Sequence, residues 1–286
     1  MDDIKRIIRE ILSDILPYSL LTKLYFRYAL SRKLDLKNPK SFNEKICWYK
    51  LYYCPNSELI IKCADKYLMR DYLKEKGLSE YLVPLIGHWK SADDINWYEL
   101  PNKFVLKTNH GCHFNIVCKD KNALSEYETK KKLNKWLSIK YGKLNIEEHY
   151  NKIEPLVIAE KYIGEMDENV VDFKLHCFNG KPMFFETCSE RITNGGAISN
   201  AFDLKWNRLD YFKCQNININ KPICLDKMIE IGQKISKEFP YVRIDYYVVN
   251  KKPLIGELTF VPAGGMDFDM KQEIDNELGS ILNIGN

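Results

Sequence analysis

The sequence predicts an α+β fold, mostly helical at the front and strand-rich behind, with the change at about Leu100. Three observations carry this. Helical periodicity fills the front third, short β-branched and aromatic runs replace it after residue 100, and two of the later runs are long hairpin candidates. The 286 residues show no internal repeat or low-complexity linker and suffice for about two domains at roughly 150 residues each. The expected divisions are a mostly helical region over 1–100, a small strand-rich unit over 101–163 and a C-terminal antiparallel-sheet unit over 164–286.

Residues 3 to 33 place apolar side chains at helical spacing, broken at Pro17. The second piece carries Lys23, Arg27, Arg32 and Lys33 and no acid, among apolar Leu20, Leu21, Leu24, Tyr25 and Tyr28. Such a basic amphipathic helix either packs on the body with a solvated face or docks reversibly on an anionic membrane surface. Ser41 and Glu44 form a capping box that opens a helix through Tyr53, and Ser125 and Glu128 open a basic helix over 125–141. The segments KFVLKT (103–108), NIVCK (115–119) and LVIAEKYI (156–163) read as strands.

The hairpins carry most of the information. In VDFKLHCFNGKPMFFETC, Asn179-Gly180 separates alternating strands, because both residues tolerate the positive φ of a type I′ turn. Period two then puts Asp172, Lys174 and His176 on one face and Val171, Phe173, Leu175 and Cys177 on the other. In YVRIDYYVVNKKPLIGELTF, a three-residue loop at Asn250-Lys251-Lys252 would pair Val249 with Pro253, setting Asp245 opposite Glu257 and Arg243 opposite Thr259. Two carboxylates facing each other repel, so the arrangement asks for a cation, and strand-borne oxygens suit Mg²⁺. A one-residue slip, or a plain Arg243–Asp245 surface pair, is the other reading.

Composition narrows the class. With 43 basic and 39 acidic residues, a net charge of +4 is too balanced for nucleic-acid binding by field strength, so no nucleic-acid partner is expected. The nine cysteines show no C-x-x-C spacing and read as small buried hydrophobes in a reducing compartment. The charged N-terminus lacks the pattern of a signal peptide and no run approaches the roughly 20 apolar residues of a membrane span, so a cytoplasmic protein is expected. Cys112 lies between His110 and His113, which admits a thiol nucleophile or a metal site, but residues this close on one turn rarely meet in such geometry. Trp48, Trp89, Trp97, Trp136 and Trp206 belong to the core or stack on sugar rings; Trp206, beside Asp203 and Arg208, is the best candidate for an acceptor site.

FVLKTNHGCHFNIV ends a strand at Lys107 and turns through a polar, glycine-containing loop, which offers backbone N–H groups and a point charge to phosphate. Along the chain ADKY, VLKTNHG, IAEKYIGE, DFK, RID and GELT follow in order, and with RKLDLKNPKSFNEKICWYK and GELTFVPAGG they resemble the TupA-like branch of the ATP-grasp superfamily, found in bacterial surface-polysaccharide biosynthesis. The resemblance covers residues 25 to 275 and implies an ATP-grasp fold with a small lid over 101–163. It implies that Lys66 and Lys107 contact ATP phosphates, that Asn109 to His113, with His110 and Gly111, close over them, and that Glu160, Lys161, Tyr162 and Ile163 read the adenine edge. Lys174 and Arg191 match phosphate-binding bases, Arg243 the R-x-D arginine on the transferred phosphoryl group, and Asp245 and Glu257 magnesium ligands. Thr259 departs from the usual asparagine of the E-x-N element. His110, Arg191, Asn194 and Trp206 are the expected substrate contacts.

The implied activity is an ATP- and Mg²⁺-dependent ligase that couples a small-molecule or glycan carboxylate to an amine through an acyl phosphate. The family setting points to a uronic acid and an amino acid or small amine, with peripheral contact to membrane or lipid-linked glycan. The competing readings are an ATP-grasp kinase of a sugar hydroxyl, a non-catalytic assembly scaffold, and a metal-dependent glycosyltransferase, against which Asp267-Phe268-Asp269 has the D-x-D spacing but follows a proline-glycine loop and not a hydrophobic strand.

Overall fold

A computed structural model describes residues 3–163, 172–191, 197–213 and 219–285. The chain opens with α1 (Asp3–Ile15) and α2 (Tyr18–Leu30), separated at Pro17 as expected. Helix α3 (Phe42–Trp48) begins at the capping box: Ser41 Oγ accepts from the Glu44 N–H at 3.3 Å, and the Glu44 carboxylate accepts from the Ser41 N–H at 3.1 Å. Beyond Trp48 the chain widens into a π-helical turn, Tyr49–Tyr53, along which the rings of Tyr49 and Tyr53 stack 4.9 Å apart. The expected α-helix through Tyr53 therefore stops earlier, and Pro55 ends the segment.

Helices α4 (Glu58–Ala64) and α5 (Met69–Glu75) precede a first sheet made of β1 (Leu85–Trp89), β2 (Phe104–Thr108), β3 (Asn115–Cys118) and β4 (Val157–Lys161). Its order is β1-β4-β2-β3, all antiparallel, so it draws strands from both sides of residue 100. Helix α6 (Glu126–Leu137) covers one face through Leu133, which shares a small core with Phe104, Leu106, Val157 and Ala159. It ends short of the expected residue 141, where the Ser138 hydroxyl turns back onto the Lys135 carbonyl; α7 (Tyr141–Asn145) follows.

The second sheet holds β5 (Asp172–Phe178), β6 (Lys181–Arg191), β7 (Ala197–Asp203), β8 (Arg208–Leu209), β9 (Tyr241–Val249) and β10 (Lys252–Thr259), in the order β10-β9-β5-β6-β7-β8. Helix α8 (Leu225–Ser236) lays Met228, Ile231 and Ile235 on one face, against Phe173, Leu175 and Ile244, within the main core; α9 (Gln272–Ile281) packs near α3. The opposite face carries the polar side chains of β5, β6, β9 and β10.

Register on that face is set by two bulges. Asn179 and Gly180 have φ of 50° and 79°, the turn expected, and pair Phe178 with Lys181. One extra residue at Met183 then shifts the pairing, so His176 faces Phe184 and Lys174 faces Glu186. The other hairpin turns on two residues, Asn250 and Lys251 (φ 50° and 64°), and pairs Val249 with Lys252, which corrects the expected three-residue loop. An extra residue at Gly256 restores the expected register: Asp245 faces Glu257 and Arg243 faces Thr259. Only glycine fits there, since a Cβ would stand 2.7 Å from the Tyr247 ring.

Candidate active site

Alternation along β5, β6, β9 and β10 gathers cations and carboxylates on one face. Arg243 holds Asp245 bidentately, both bonds 2.7 Å, and donates to Thr259 Oγ1 at 3.3 Å. The Thr259 hydroxyl donates to Glu257 Oε1 at 3.5 Å. Across the cleft Lys66, on the turn after α4, places Nζ 3.2 Å from Glu257 Oε2 and donates to the Gly111 carbonyl at 2.7 Å. One lysine thus ties the glycine turn of the first sheet to the carboxylate strand of the second.

Burial alone would raise Glu257, but Lys66, Arg243 and Lys107 together hold it down, at about 2. Burial raises Asp245 to about 6; Arg243 pulls it down and the like charge of Glu257 pushes it up. Burial would lower Lys66, and the Glu257 charge more than offsets that.

The second group centres on Glu186, which sequence reasoning missed. Its Oε2 lies 3.1 Å from His176 Nε2; its Oε1 accepts from Ser199 Oγ at 2.9 Å and from the Cys188 thiol at 3.2 Å, with Lys174 Nζ at 3.7 Å. Lys174 also donates to Cys188 Sγ at 2.8 Å. Burial would raise Glu186, yet Lys174 and His176 hold it well below the carboxylate range. Burial lowers His176 to about 4, so the ring is neutral. An ionised carboxylate only accepts, so Nε2 carries the proton and Nδ1 accepts from the Tyr241 hydroxyl at 2.9 Å. His176 is therefore a fully buried bracket.

On the first sheet, Lys107 Nζ sits 2.7 Å from Glu160 Oε2, and Arg70 of α5 sits 3.4 Å from Oε1 while donating to the Val83 carbonyl at 2.8 Å. Arg70 was not singled out by sequence. The Lys161 N–H donates to the Pro84 carbonyl at 2.9 Å, and Tyr162 and Ile163 continue past the strand end, with the Tyr162 ring 5.9 Å from Lys103 Nζ. Asn109 is wholly buried: its side-chain amide donates to the Glu154 carbonyl at 2.9 Å and accepts from the Leu156 N–H at 2.7 Å. His110 is buried as well, its Nε2 3.2 Å from the Ile139 carbonyl. The first half of the turn is thus anchored, and Gly111, at φ +83°, bends the chain where a Cβ would meet the Tyr141 ring at 2.5 Å.

Arg191 closes β6 in register with Ala197, and Asn194 falls outside the described residues. Trp206 stacks on Phe202, with centroids 4.4 Å apart and planes 4° apart, and donates its indole N–H to the Ile219 carbonyl at 3.2 Å, which is a packing role. Asp267 Oδ1 caps the N–H groups of Asp269 and Met270, so this D-x-D shapes a turn. Burial pushes the Cys112 thiol up and lowers His110, the opposite of an activated thiol–imidazole couple. Among the described residues the cysteines are all free.

The donor set fits magnesium. Asp245 and Glu257 face each other with the Thr259 hydroxyl beside them, and among the described residues no three of His, Cys, Asp and Glu gather as a metal site. Two carboxylates with room for waters and phosphate oxygens are what Mg²⁺ takes from a protein.

Two antiparallel sheets facing each other across paired lysines, an R-x-D strand and an opposed glutamate strand define an ATP-grasp architecture. The chain belongs to the TupA-like ATP-grasp family, whose sequence profile matches residues 44–283. No curated protein matches it in sequence. Solved structures similar in fold include D-alanine–D-alanine ligase from Bacillus anthracis complexed with ATP (16% identity, 78% of this chain and 65% of that one, TM-score 0.48). D-cycloserine synthetase (11%, 79% and 72%, 0.47) and phosphoribosylamine–glycine ligase from Thermotoga maritima (13%, 76% and 54%, 0.47) are similar too. The chain spans just under two thirds of the first of these.

Proposed function

We propose that this protein is an ATP-dependent carboxylate–amine ligase that works through an acyl phosphate, with a uronic-acid carboxylate of a surface glycan or its precursor and an amino acid or small amine as substrates. The observation that supports the reading is Lys66, bonded at once to the carbonyl of the glycine turn and to Glu257, so that the groups proposed to receive phosphate and metal adjoin. Family membership supports the ATP; the glycan rests on the TupA-like setting.

Lys66 and Lys107 receive the triphosphate, exchanging the carboxylates of Glu257 and Glu160 for phosphate oxygens. Asp245 and Glu257 would hold Mg²⁺, which supplies charge neutralisation of the triphosphate. The substrate carboxylate attacks the γ-phosphorus in line, the bond from that phosphorus to the β,γ-bridging oxygen breaks and ADP leaves, with Arg243 and Lys174 stabilising the charge on the transferred oxygens. The amine then adds to the acyl carbon, loses a proton, and the acyl–oxygen bond breaks to release phosphate. Glu186, ionised beside Lys174, keeps that lysine charged and fixed in place.

The test is phosphate and ADP release with Mg-ATP and uronic acids crossed with amines, for wild type and Glu257→Gln. Release that requires acid and amine together, and is lost in the variant, supports the ligase. ADP formation with a sugar alone, leaving a phosphorylated hydroxyl, would assign a kinase. ATP binding without turnover, on any acceptor including lipid-linked ones, would leave a scaffold.

A further inference from the structure

We propose that the outer face of α2, together with the end of α1, docks on an anionic lipid bilayer. Leu21, Thr22 and Phe26 turn inward and are buried. Leu20, Lys23, Leu24, Arg27 and Tyr28 are left exposed at spacings of three and one, a single stripe along a helix of 13 residues. Leu24 is 51% exposed and Tyr28 91%, and Ile11 and Ile15 of α1 add 51% and 70%. Scattered exposed apolar residues need no explanation, but Leu20, Leu24 and Tyr28 share one stripe of α2 with Lys23 and Arg27.

Charge selects the occupant. Residues Tyr18–Leu30 contain no acid, so a bilayer bearing anionic headgroups meets the whole stripe favourably, with the lysine and arginine stems lying along the leucines and their heads in the headgroup layer. A second copy would set Lys23 and Arg27 against their own counterparts across a two-fold axis. Asp35 is the acid that lies close to Lys23, and Asp14 is already paired with Lys143 at 2.5 Å. Among the described residues no helix is long and apolar enough to cross a membrane, so the contact lies in the plane of the surface. Where the two helices meet, Asp14 and Tyr18 line a cavity of about 520 Å³ whose wall includes His110 of the glycine turn.

The experiment is sedimentation of the full chain with vesicles of phosphatidylcholine alone or mixed with phosphatidylglycerol, at low and high salt. The chain should bind the mixed vesicles only and dissociate at high salt. Lys23→Glu with Arg27→Glu should weaken binding at least about tenfold, since each basic residue near an anionic surface contributes about fivefold. Leu24→Ser with Tyr28→Ser should weaken it too, with melting and ATP binding unchanged in both variants, which keeps this test separate from the ligase reading. No binding to anionic vesicles, or equal binding by the variants, would overturn the proposal. So would a dimer in light scattering that Leu24→Ser with Tyr28→Ser dissolves while vesicles are ignored.

Discussion

Glu186→Gln is the most informative single change in the polar face, because it removes one charge and almost no volume. The lost partner stands 3.7 Å from Lys174 Nζ, an attraction of about 4.5 kcal/mol at an effective dielectric of about 20. Removing one member of a buried pair costs about 3–5 kcal/mol, and the amide retains one acceptor, so about 3 kcal/mol is expected at neutral pH. For a chain of 286 residues that lowers Tm by about 5 °C. A triphosphate bound at Lys174 would supply the missing negative charge, so a non-hydrolysable ATP analogue with magnesium should raise the variant's Tm more than the wild type's. The pH dependence has a fixed sign. Glu186 is held well below its ordinary 4.5, so its stabilisation is fully present above that value and is lost progressively as pH falls from it toward the depressed folded value. Differential scanning calorimetry from about pH 2 to 8, with and without the analogue, reads all three. Equal stability at neutral pH, or a loss that nucleotide leaves untouched, would refute the reasoning.

Three other outcomes are expected. Gly111→Ala forces a Cβ to within 2.5 Å of the Tyr141 ring at φ +83°, and should cost about 1–3 kcal/mol in urea denaturation and weaken ATP binding. Adding Tyr141→Ala should recover only the steric part. On the proposed role of Asp245 as a magnesium ligand, binding displaces the proton of a carboxyl raised to about 6, so by calorimetry the affinity should be flat above that pH and fall up to tenfold per unit below it, a slope that Asp245→Asn abolishes. Tyr241→Phe strips the donor from His176 Nδ1 and leaves a buried acceptor, for a loss of about 1–3 kcal/mol with nucleotide affinity nearly unchanged.

How far the sequence reveals this site depends on whether a signal is local. The Asn179-Gly180 turn and the Ser41 capping box are encoded within a few residues and are legible, whereas the pairing of Asp245 with Glu257 follows from sequence only by way of a three-residue loop, where the structure has a two-residue turn and a bulge. Glu186 is not. The Asn-Gly turn taken alone pairs Lys174 with Phe185 and would turn Glu186 toward the core. The bulge at Met183 reverses this, and its only local cue is Pro182, which cannot donate to the ladder. Arg70 reaches Glu160 across 90 residues of sequence, a contact no window can contain. β1 escapes for a different reason: LIGHW is short, interrupted by glycine and lacks alternation of polarity.

The Gly256 bulge also divides the last hairpin into two lengths that answer to different constraints. Pairing between the bulge and Thr259 sets where the carboxylates stand, whereas pairing beyond it, out to Asn250 and Lys251, sets only the position of an exposed tip. The glycine acts as a slip joint between them. A fluorophore or short peptide inserted at Asn250-Lys251 would therefore ride on the second sheet without shifting Asp245 against Glu257.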